Sequence, residues 1–250
     1  MDKKPMILVF AGPNGSGKST ITSAVSPIGE YINADDIKKV IGCTDLEAAQ
    51  MAEAKRNKCL EDKRDFTFET VLSTERNLNL LKKAKEKGYF IKSFFVLTNS
   101  PDVNVNRVQI RVATGGHDVP EDKIRARYER SLNILPELIK VSDICNVFDN
   151  TQRASRIFSK KKDKYRVWEN QFWNAKDIES LTKVSDYDLM KGTQTSIKDP
   201  YYVGGITKEQ AAVIVKSGIS LGYNAKTGVI AINKQDKEKA MTVLGNGLKR

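Results

Sequence analysis

The stretch VFAGPNGSGKST, residues 9–20, decides the fold of this chain. Gly12, four further residues and then Gly17, Lys18 and Ser19 reproduce the spacing of a phosphate-binding loop. The apolar run at residues 6–10 is typical of a buried strand, and a helix is predicted to begin at Lys18. Glycines let the backbone approach a polyphosphate and turn its N–H groups toward it. The stretch therefore predicts a strand, a nucleoside-triphosphate loop and a helix in succession.

Two side chains of this loop carry the predicted chemistry. Lys18 is expected to reach the β- and γ-phosphates, and the Ser19 hydroxyl is expected to ligate Mg²⁺. The alternative is a glycine turn without a ligand, which leaves a lysine and a hydroxyl at this offset unexplained. We therefore expect ATP or GTP together with Mg²⁺, and we expect the nucleotide to contact Gly12, Asn14, Gly15, Ser16, Gly17, Lys18, Ser19 and Thr20.

Composition limits the class of protein. No apolar run in the 250 residues approaches the roughly 18–20 residues that span a bilayer. The first five residues are not typical of a signal peptide. We therefore expect a cytoplasmic protein that does not associate with a membrane. The three cysteines are isolated in sequence, which predicts reduced thiols and implies neither a disulfide nor a zinc site.

The net charge of +11 arises mainly from basic residues after position 150. A basic tail attracts phosphates, RNA or acidic proteins. The segment KKKDKYRVWENQFW, residues 160–173, interleaves basic and aromatic side chains as a groove for single-stranded nucleic acid does. It also suits a pair of strands that closes the first domain, which is the interpretation we favour. Because the lysines are scattered, we expect an ordinary solvated surface and no nucleic-acid partner.

Strands alternate with helices along the first part of the chain. Residues 28–33, 65–70, 89–97 and 143–149 are predicted strands, and the segments between them have polar helical patterns. This alternation predicts an α/β fold, a three-layer kinase-like P-loop NTPase whose parallel sheet carries helices on both faces. In such folds ligands bind at the carboxyl ends of the strands. We therefore expect the functional residues to follow those ends.

The C-terminal part is predicted to be separate. Residues 185–205 are polar and contain Gly and Pro, which indicates a linker between a domain at 1–184 and a small α+β module at 206–250. Thr207 and Gln210 form a capping-box pattern that opens a short helix, and a hairpin and a last helix follow. A module of this size rarely folds alone, so we expect it to pack on the first domain or on a partner.

Acidic residues follow two of the predicted strands. Asp35 could accept the proton of an attacking hydroxyl as a general base, and it could equally be the N-cap of the next helix, for which Asp36 is also suited. The sequence leaves these alternatives open. Glu69 ends a strand that is otherwise apolar, which favours binding to a substrate hydroxyl or to the metal shell, and Thr70 is expected to share that task.

A run of arginines predicts a mobile lid. Arg107 and Arg111 are four residues apart, so they share one exposed face of a helix. A possible hinge at residues 115–116 leads to a second helix with further arginines. Such a lid would stabilise charge on a transferring phosphoryl group and exclude water. His117 is expected to serve lid packing or a phosphate contact, and the lid arginines of the second helix are Arg125, Arg127 and Arg130.

Four motifs in this order resemble the zeta-toxin family of phosphate-loop kinases, in particular its short stand-alone branch. They are GPNGSGKST at 12–20, INADD at 32–36, FET at 68–70 and GGHDVPEDKIRARYERSL at 115–132, and the resemblance covers about residues 5–170. It implies transfer of a phosphoryl group from ATP or GTP to a sugar hydroxyl of a UDP-activated amino sugar such as UDP-N-acetylglucosamine. It also implies a toxin that a small antitoxin protein holds inactive.

The resemblance also implies roles for individual residues. The phosphate-loop lysine of the family corresponds to Lys18, its base to Asp35 and its substrate-binding glutamate to Glu69. Its lid arginines correspond to Arg125, Arg127 and Arg130, and VFDNT at 147–151 resembles its loop near the adenine. Residues 185–250 have no counterpart in the family. Two other functions remain open: a kinase of another small metabolite or nucleoside, and a nucleotide-switched binding module that uses its basic tail.

Overall fold

The structure is a computed structural model that describes residues 4–116, 118–162, 164–184, 199–224 and 229–247. His117 and most of the predicted linker lie outside these residues. The chain divides into two compact units: the first contains residues 1–159 and 167–181, and the second contains residues 160–166 and 182–250. No helix within the described ranges is both long and apolar enough to cross a membrane.

Strands and helices alternate in the first part of the chain, as the sequence predicts. In chain order they are β1 (Met6–Ala11), α1 (Lys18–Thr22), β2 (Glu30–Ile32), α2 (Ala34–Ile41), α3 (Asp45–Glu61), β3 (Phe66–Thr70), α4 (Glu75–Glu86), β4 (Phe90–Leu97), α5 (Pro101–Ala113), α6 (Glu121–Val141), β5 (Ile144–Asp149), β6 (Ser155–Lys161), β7 (Lys164–Val167) and α7 (Ala175–Thr182).

The strands form one seven-stranded sheet in the order β2-β3-β1-β4-β5-β6-β7. The pairs β2–β3, β3–β1, β1–β4 and β4–β5 are parallel. The central strand β1 is a continuous apolar run, as expected of a parallel strand that is buried on both faces. Phe10 and Phe94 stack with their ring centroids 5.4 Å apart on neighbouring strands. The predicted α/β P-loop fold is confirmed, and parallel pairing brings the carboxyl ends of β1 to β5 to one edge.

The polar stretch after β2 contains two helices where the sequence pattern suggested one. Helix α2 ends at Gly42, whose φ of 73° is left-handed. Glycine adopts this conformation without the steric cost that a Cβ brings, so it terminates helices often. Helix α3 begins after Thr44, whose hydroxyl and Glu47 form a capping box.

In its described residues, the second unit contains a small antiparallel sheet and two α-helices. Its elements are β8 (Pro200–Val203), α8 (Lys208–Lys216), β9 (Leu221–Asn224), β10 (Val229–Asn233) and α9 (Lys237–Gly247), and its strand order is β8-β10-β9. Thr207 and Gln210 form the predicted capping box. Strand β8 was not predicted and lies inside the proposed linker; because it pairs with β10, it belongs to the small sheet. The domain boundary at residue 184 stays a prediction.

Candidate functional site

The loop between β1 and α1 packs closely against its neighbours. Gly15 has a φ of 77° and Gly17 a φ of 83°, which L side chains rarely adopt. A Cβ on Gly15 would lie 2.4 Å from the carbonyl oxygen of Asn104, and one on Gly17 would lie 2.2 Å from Nδ2 of Asn150. The left-handed conformation favours glycine at both positions, and at Gly15 the backbone of Asn104 also leaves no space for a Cβ.

Lys18 is the first residue of α1 and points back along the loop. Its Nζ donates hydrogen bonds to the carbonyl oxygens of Gly12 at 2.9 Å and Pro13 at 3.2 Å. Burial lowers the pKa of Lys18 to about 8, and Glu69 and Asp35 oppose that shift through their negative charge. The lysine therefore lies close to both carboxylates that the sequence singled out.

A cavity of about 440 Å³ opens at the carboxyl edge of the sheet. It brings together side chains that lie almost 100 residues apart in sequence. Strands β1, β2 and β3 each end there, so the residues that follow them share one space. The lining residues are Asn14, Gly15, Gly17, Lys18, Ser19, Asn33, Ala34, Asp35, Glu69, Thr70, Val71, Arg107, Val108 and Arg111.

Asp35 is not the N-cap of its helix. Asn33 holds that position, and its side chain accepts a hydrogen bond from the backbone N–H of Asp35 at 2.9 Å. Asp35 and Asp36 lie in the first turn of α2, where negative charge stabilises the helix dipole. The capping interpretation is therefore wrong, and the carboxylate of Asp35 lines the cavity without a capping role.

Glu69 is held by two hydroxyl groups that sequence analysis missed. The Tyr31 hydroxyl donates to its Oε1 at 2.5 Å. The Thr22 hydroxyl lies 3.2 Å from the same oxygen and 3.0 Å from the carbonyl oxygen of Lys18, and its one proton serves one of these acceptors at a time. Burial and the neighbouring carboxylate of Glu69 raise the pKa of Tyr31, which keeps its hydroxyl protonated as a donor. The pairing of β2 with β3 places Tyr31 beside Glu69, and strand order was not part of the sequence prediction.

Thr70 lines the cavity, but its hydroxyl already serves the backbone. Its Oγ1 accepts hydrogen bonds from Nδ2 of Asn77 at 2.8 Å and from the N–H of Leu72 at 2.9 Å. These bonds hold the turn between β3 and α4. The predicted share of Thr70 in substrate binding stays a prediction.

Arg107 and Arg111 on α5 both line the cavity. Nη2 of Arg107 donates to the carbonyl oxygen of Thr151 at 3.1 Å, which fixes the guanidinium between α5 and the loop after β5. On α6, Nη1 of Arg127 donates to Oδ1 of Asn14 at 3.2 Å and so contacts the phosphate loop. These three arginines are the ones that the structure brings to the loop and cavity.

The other two predicted lid arginines lie elsewhere in this structure. Arg125 forms ion pairs with Asp102 at 2.7 Å and Glu121 at 2.8 Å on the surface, so its charge is already balanced. Arg130 is exposed. Neither is among the described residues that line the cavity, and their part in a lid stays a prediction.

Comparison with known proteins decides the family. The family model described as Zeta toxin matches residues 1–171, which is more than half of the chain. The chain belongs to the zeta toxin family. The matched range agrees with the extent of the resemblance, about residues 5–170, and ends before the small second sheet begins. Membership supports a phosphate-loop phosphotransferase.

Individual relatives of this zeta-toxin-family chain are distant. An uncharacterised protein of Haemophilus influenzae is 29% identical over 127 residues, which is 48% of this chain and 91% of that protein. The structure of AvrRxo1-ORF1:-ORF2 with ATP has a TM-score of 0.57 at 13% identity, covering 97% of this chain and 76% of that chain. A structure from the PezAT toxin–antitoxin system of Streptococcus pneumoniae has a TM-score of 0.47 at 14% identity, covering 78% and 89%. The AvrRxo1-ORF1:-ORF2 structure supports the fold of this chain and nothing more.

Proposed function

We propose that this zeta-toxin-family chain is an ATP-dependent kinase that phosphorylates a sugar hydroxyl of a UDP-activated amino sugar of the UDP-N-acetylglucosamine type. One observation carries the kinase proposal: Lys18, Asp35 and Glu69 face a single cavity at the mouth of the phosphate loop. The sugar-nucleotide acceptor rests on the family resemblance of the motifs. We place the reaction in the cytoplasm, where both substrates are found.

The loop and its surroundings suit a triphosphate and its metal ion. Backbone N–H groups of a glycine loop and a lysine together bind phosphate oxygens. GTP fits the same phosphate contacts, so the base preference is left to the assay. The Ser19 side chain is exposed at the cavity, and Mg²⁺ typically takes one or two protein oxygens besides phosphates and water. Ser19 would hold Mg²⁺, which supplies neutralising charge to the β- and γ-phosphates when bound.

The proposed reaction needs a base and an oriented hydroxyl. Asp35 accepts the proton of the sugar hydroxyl while the hydroxyl oxygen forms a bond to the γ-phosphorus. The bond between the γ-phosphorus and the β–γ bridging oxygen breaks, and ADP leaves. Glu69, held by Tyr31 and Thr22 through Oε1, orients the acceptor. Arg107 and Arg111 stabilise the negative charge on the transferring group.

The toxin role and its partner follow from the family. A zeta-toxin-family kinase that consumes a cell-wall precursor would harm its own cell, so we propose a small antitoxin protein that blocks it. AvrRxo1-ORF1 is itself found in a complex with a second protein, which is consistent with a partner for this fold. Co-expression with small neighbouring reading frames, followed by purification of any stable complex, tests this part.

The proposed function is tested by acceptor-dependent consumption of ATP. The purified chain is incubated with ATP and Mg²⁺, with or without UDP-N-acetylglucosamine, and the product is identified by mass spectrometry. We expect ADP and a singly phosphorylated UDP-sugar. A panel of nucleosides and other small metabolites separates the alternative acceptors. ATP hydrolysis that no acceptor stimulates would instead support a nucleotide-switched binding module.

A conservative change at Tyr31 tests whether the hydrogen bond from its hydroxyl positions Glu69. Tyr31→Phe removes the donor at 2.5 Å from Oε1, and a lost hydrogen bond to a charged group typically weakens an interaction by roughly tenfold or more. We expect kcat/KM to fall by about that factor. Tyr89→Phe is the matched control, since the Tyr89 hydroxyl bonds to the carbonyl oxygen of Cys59 away from the cavity. Equal losses in both variants would contradict the role.

The depressed pKa of Lys18 predicts a pH dependence of nucleotide binding. The pKa is about 8 in the free protein, and a bound triphosphate raises it because negative charge favours the ammonium. Below pH 8 the lysine is protonated in both states and adds no pH dependence. Above pH 8 binding must take up a proton, so we expect the Kd of ATP to rise by up to about tenfold per pH unit.

Calorimetric titrations between pH 7 and pH 9.5 measure this dependence. Lys18→Arg keeps its positive charge over the whole range, so its Kd should be flat where that of the unmodified chain rises. A slope above pH 8 that persists in the arginine variant would assign the titration to another group.

A further inference from the structure

We infer that Asn104 and Asn150 are positioning residues that aim the backbone N–H groups of Gly15 and Gly17 at the phosphates. This inference rests on the proposed function, because it concerns how the same site holds ATP. Neither asparagine was singled out by its sequence pattern. Both lie behind the phosphate loop, and each donates a side-chain hydrogen bond to a carbonyl oxygen of that loop.

Asn104 braces the first half of the loop from α5. It is fully buried, and its Nδ2 donates to the carbonyl oxygen of Asn14 at 2.6 Å. Its Oδ1 accepts a hydrogen bond from the hydroxyl of Thr98, which fixes the amide group so that Nδ2 faces the loop. The backbone of Asn104 also lies directly against Gly15.

Asn150 braces the second half from the loop after β5. It is 6% exposed, and its Nδ2 donates to the carbonyl oxygen of Ser16 at 2.9 Å. Its backbone N–H donates to the carbonyl oxygen of Leu97 at 2.8 Å, which anchors the residue to the end of β4. The same Nδ2 lies against Gly17.

Peptide planarity links these bonds to the ligand. In a trans peptide unit the C=O and the following N–H point in opposite directions. The carbonyl of Asn14 points to Asn104, so the N–H of Gly15 points the other way. The carbonyl of Ser16 points to Asn150, so the N–H of Gly17 is likewise turned away from its brace. Both glycines line the cavity, which is where a phosphate would accept from them.

The glycines make such braces necessary. A residue without a Cβ permits its preceding peptide plane to rotate at little steric cost. If either plane turned over, a carbonyl oxygen would replace an N–H donor on the phosphate side. The buried amides oppose this rotation, because it would turn the accepting carbonyl away and leave the amide donor without a partner.

The test compares ATP binding by Asn104→Ala and Asn150→Ala with that of the unmodified chain. We expect the Kd of ATP to rise roughly tenfold to hundredfold in each variant, since hydrogen bonds to a charged ligand are lost or misdirected. Ser142→Ala is the matched control: it also removes a buried hydrogen bond, the one between the hydroxyls of Ser93 and Ser142 at 2.8 Å, but far from the loop in sequence and outside the described cavity lining. It should lower the Tm and leave the Kd unchanged.

A second readout follows the two N–H groups themselves. In a sample labelled with ¹⁵N at glycine, the amide signals of Gly15 and Gly17 should shift strongly on addition of ATP. Those shifts should be reduced for Gly15 in Asn104→Ala and for Gly17 in Asn150→Ala. If an alanine variant does not fold, Asn→Leu at the same position keeps nearly the same shape and removes the donor without adding charge, and the same loss is expected.

The outcomes separate this inference from the proposed function. If the unmodified chain binds no ATP, the proposed function fails. If it binds ATP and the folded variants bind equally tightly with unchanged glycine shifts, the positioning role is overturned while the kinase proposal stands.

Discussion

Replacing Asp35 by asparagine is expected to lower the rate of phosphoryl transfer by roughly 10²–10⁴-fold while ATP binding is retained. The variant keeps the shape of the side chain but removes the group that accepts the hydroxyl proton. The affinity for ATP is not expected to change, because Lys18 and the loop amides, and not Asp35, hold the phosphates. Loss of kcat with an unchanged Kd for ATP is therefore the signature of a general base.

The measurement is single-turnover phosphorylation of UDP-N-acetylglucosamine, with calorimetry for ATP binding. Asp36→Asn is the matched control, because Asp36 is the next residue in the first turn of α2 and its substitution changes the helix charge by the same amount. Asp36 is not among the described residues that line the cavity. Its activity should stay near that of the unmodified chain. Normal turnover by Asp35→Asn would remove Asp35 as the base.

The second large effect is expected for Lys18→Met. Methionine has a similar length but no charge, so both the binding of the triphosphate and the stabilisation of charge in the transition state are lost. Removing a single preorganised donor costs on the order of 10²–10³-fold in kcat, and we expect at least that loss in kcat/KM together with weaker ATP binding.

The control for this variant is Lys58→Met, which removes an exposed lysine that pairs with Asp62 on α3. Exposed ion pairs contribute roughly 0–1 kcal/mol, so its activity and stability should change little. A Lys18→Met enzyme that keeps its KM for ATP and most of its kcat would show that the loop does not bind the transferred phosphates, and the kinase proposal would then fail.

Much of the fold was predictable because local patterns decide it. The apolar runs of β1, β3, β4 and β5 are each bounded by polar helical segments, and a strand followed by a glycine loop and a helix admits few folds. The exceptions involve chain geometry that no periodicity reports. One is the left-handed Gly42, which splits the predicted helix after β2. Another is β8, a strand of only four residues that lies within a polar stretch containing Gly and Pro.

The site was predictable where residues follow strand ends. Lys18, Asp35 and Glu69 share the cavity because parallel strands end at one edge. The sequence could not distinguish a base from a helix cap at Asp35, since an acidic side chain suits both roles. The structure excludes the capping role, because the side chain of Asn33 caps the helix, and the role of Asp35 as a base stays a prediction. It likewise showed that Arg125 is occupied by Asp102 and Glu121.

The amino-acid sequence by itself determined the phosphate loop, the alternation of strands and helices in the first part of the chain and the family. Each of these is a property of neighbouring residues, so spacing alone reveals it. Only the tertiary structure decided which side chains support the phosphate loop and Glu69. Asn104 and Asn150 contact the loop, and Tyr31 and Thr22 contact Glu69, in each case across 38 to 134 residues of sequence. Such contacts depend on strand order and helix packing, which bring distant residues together with no local signal.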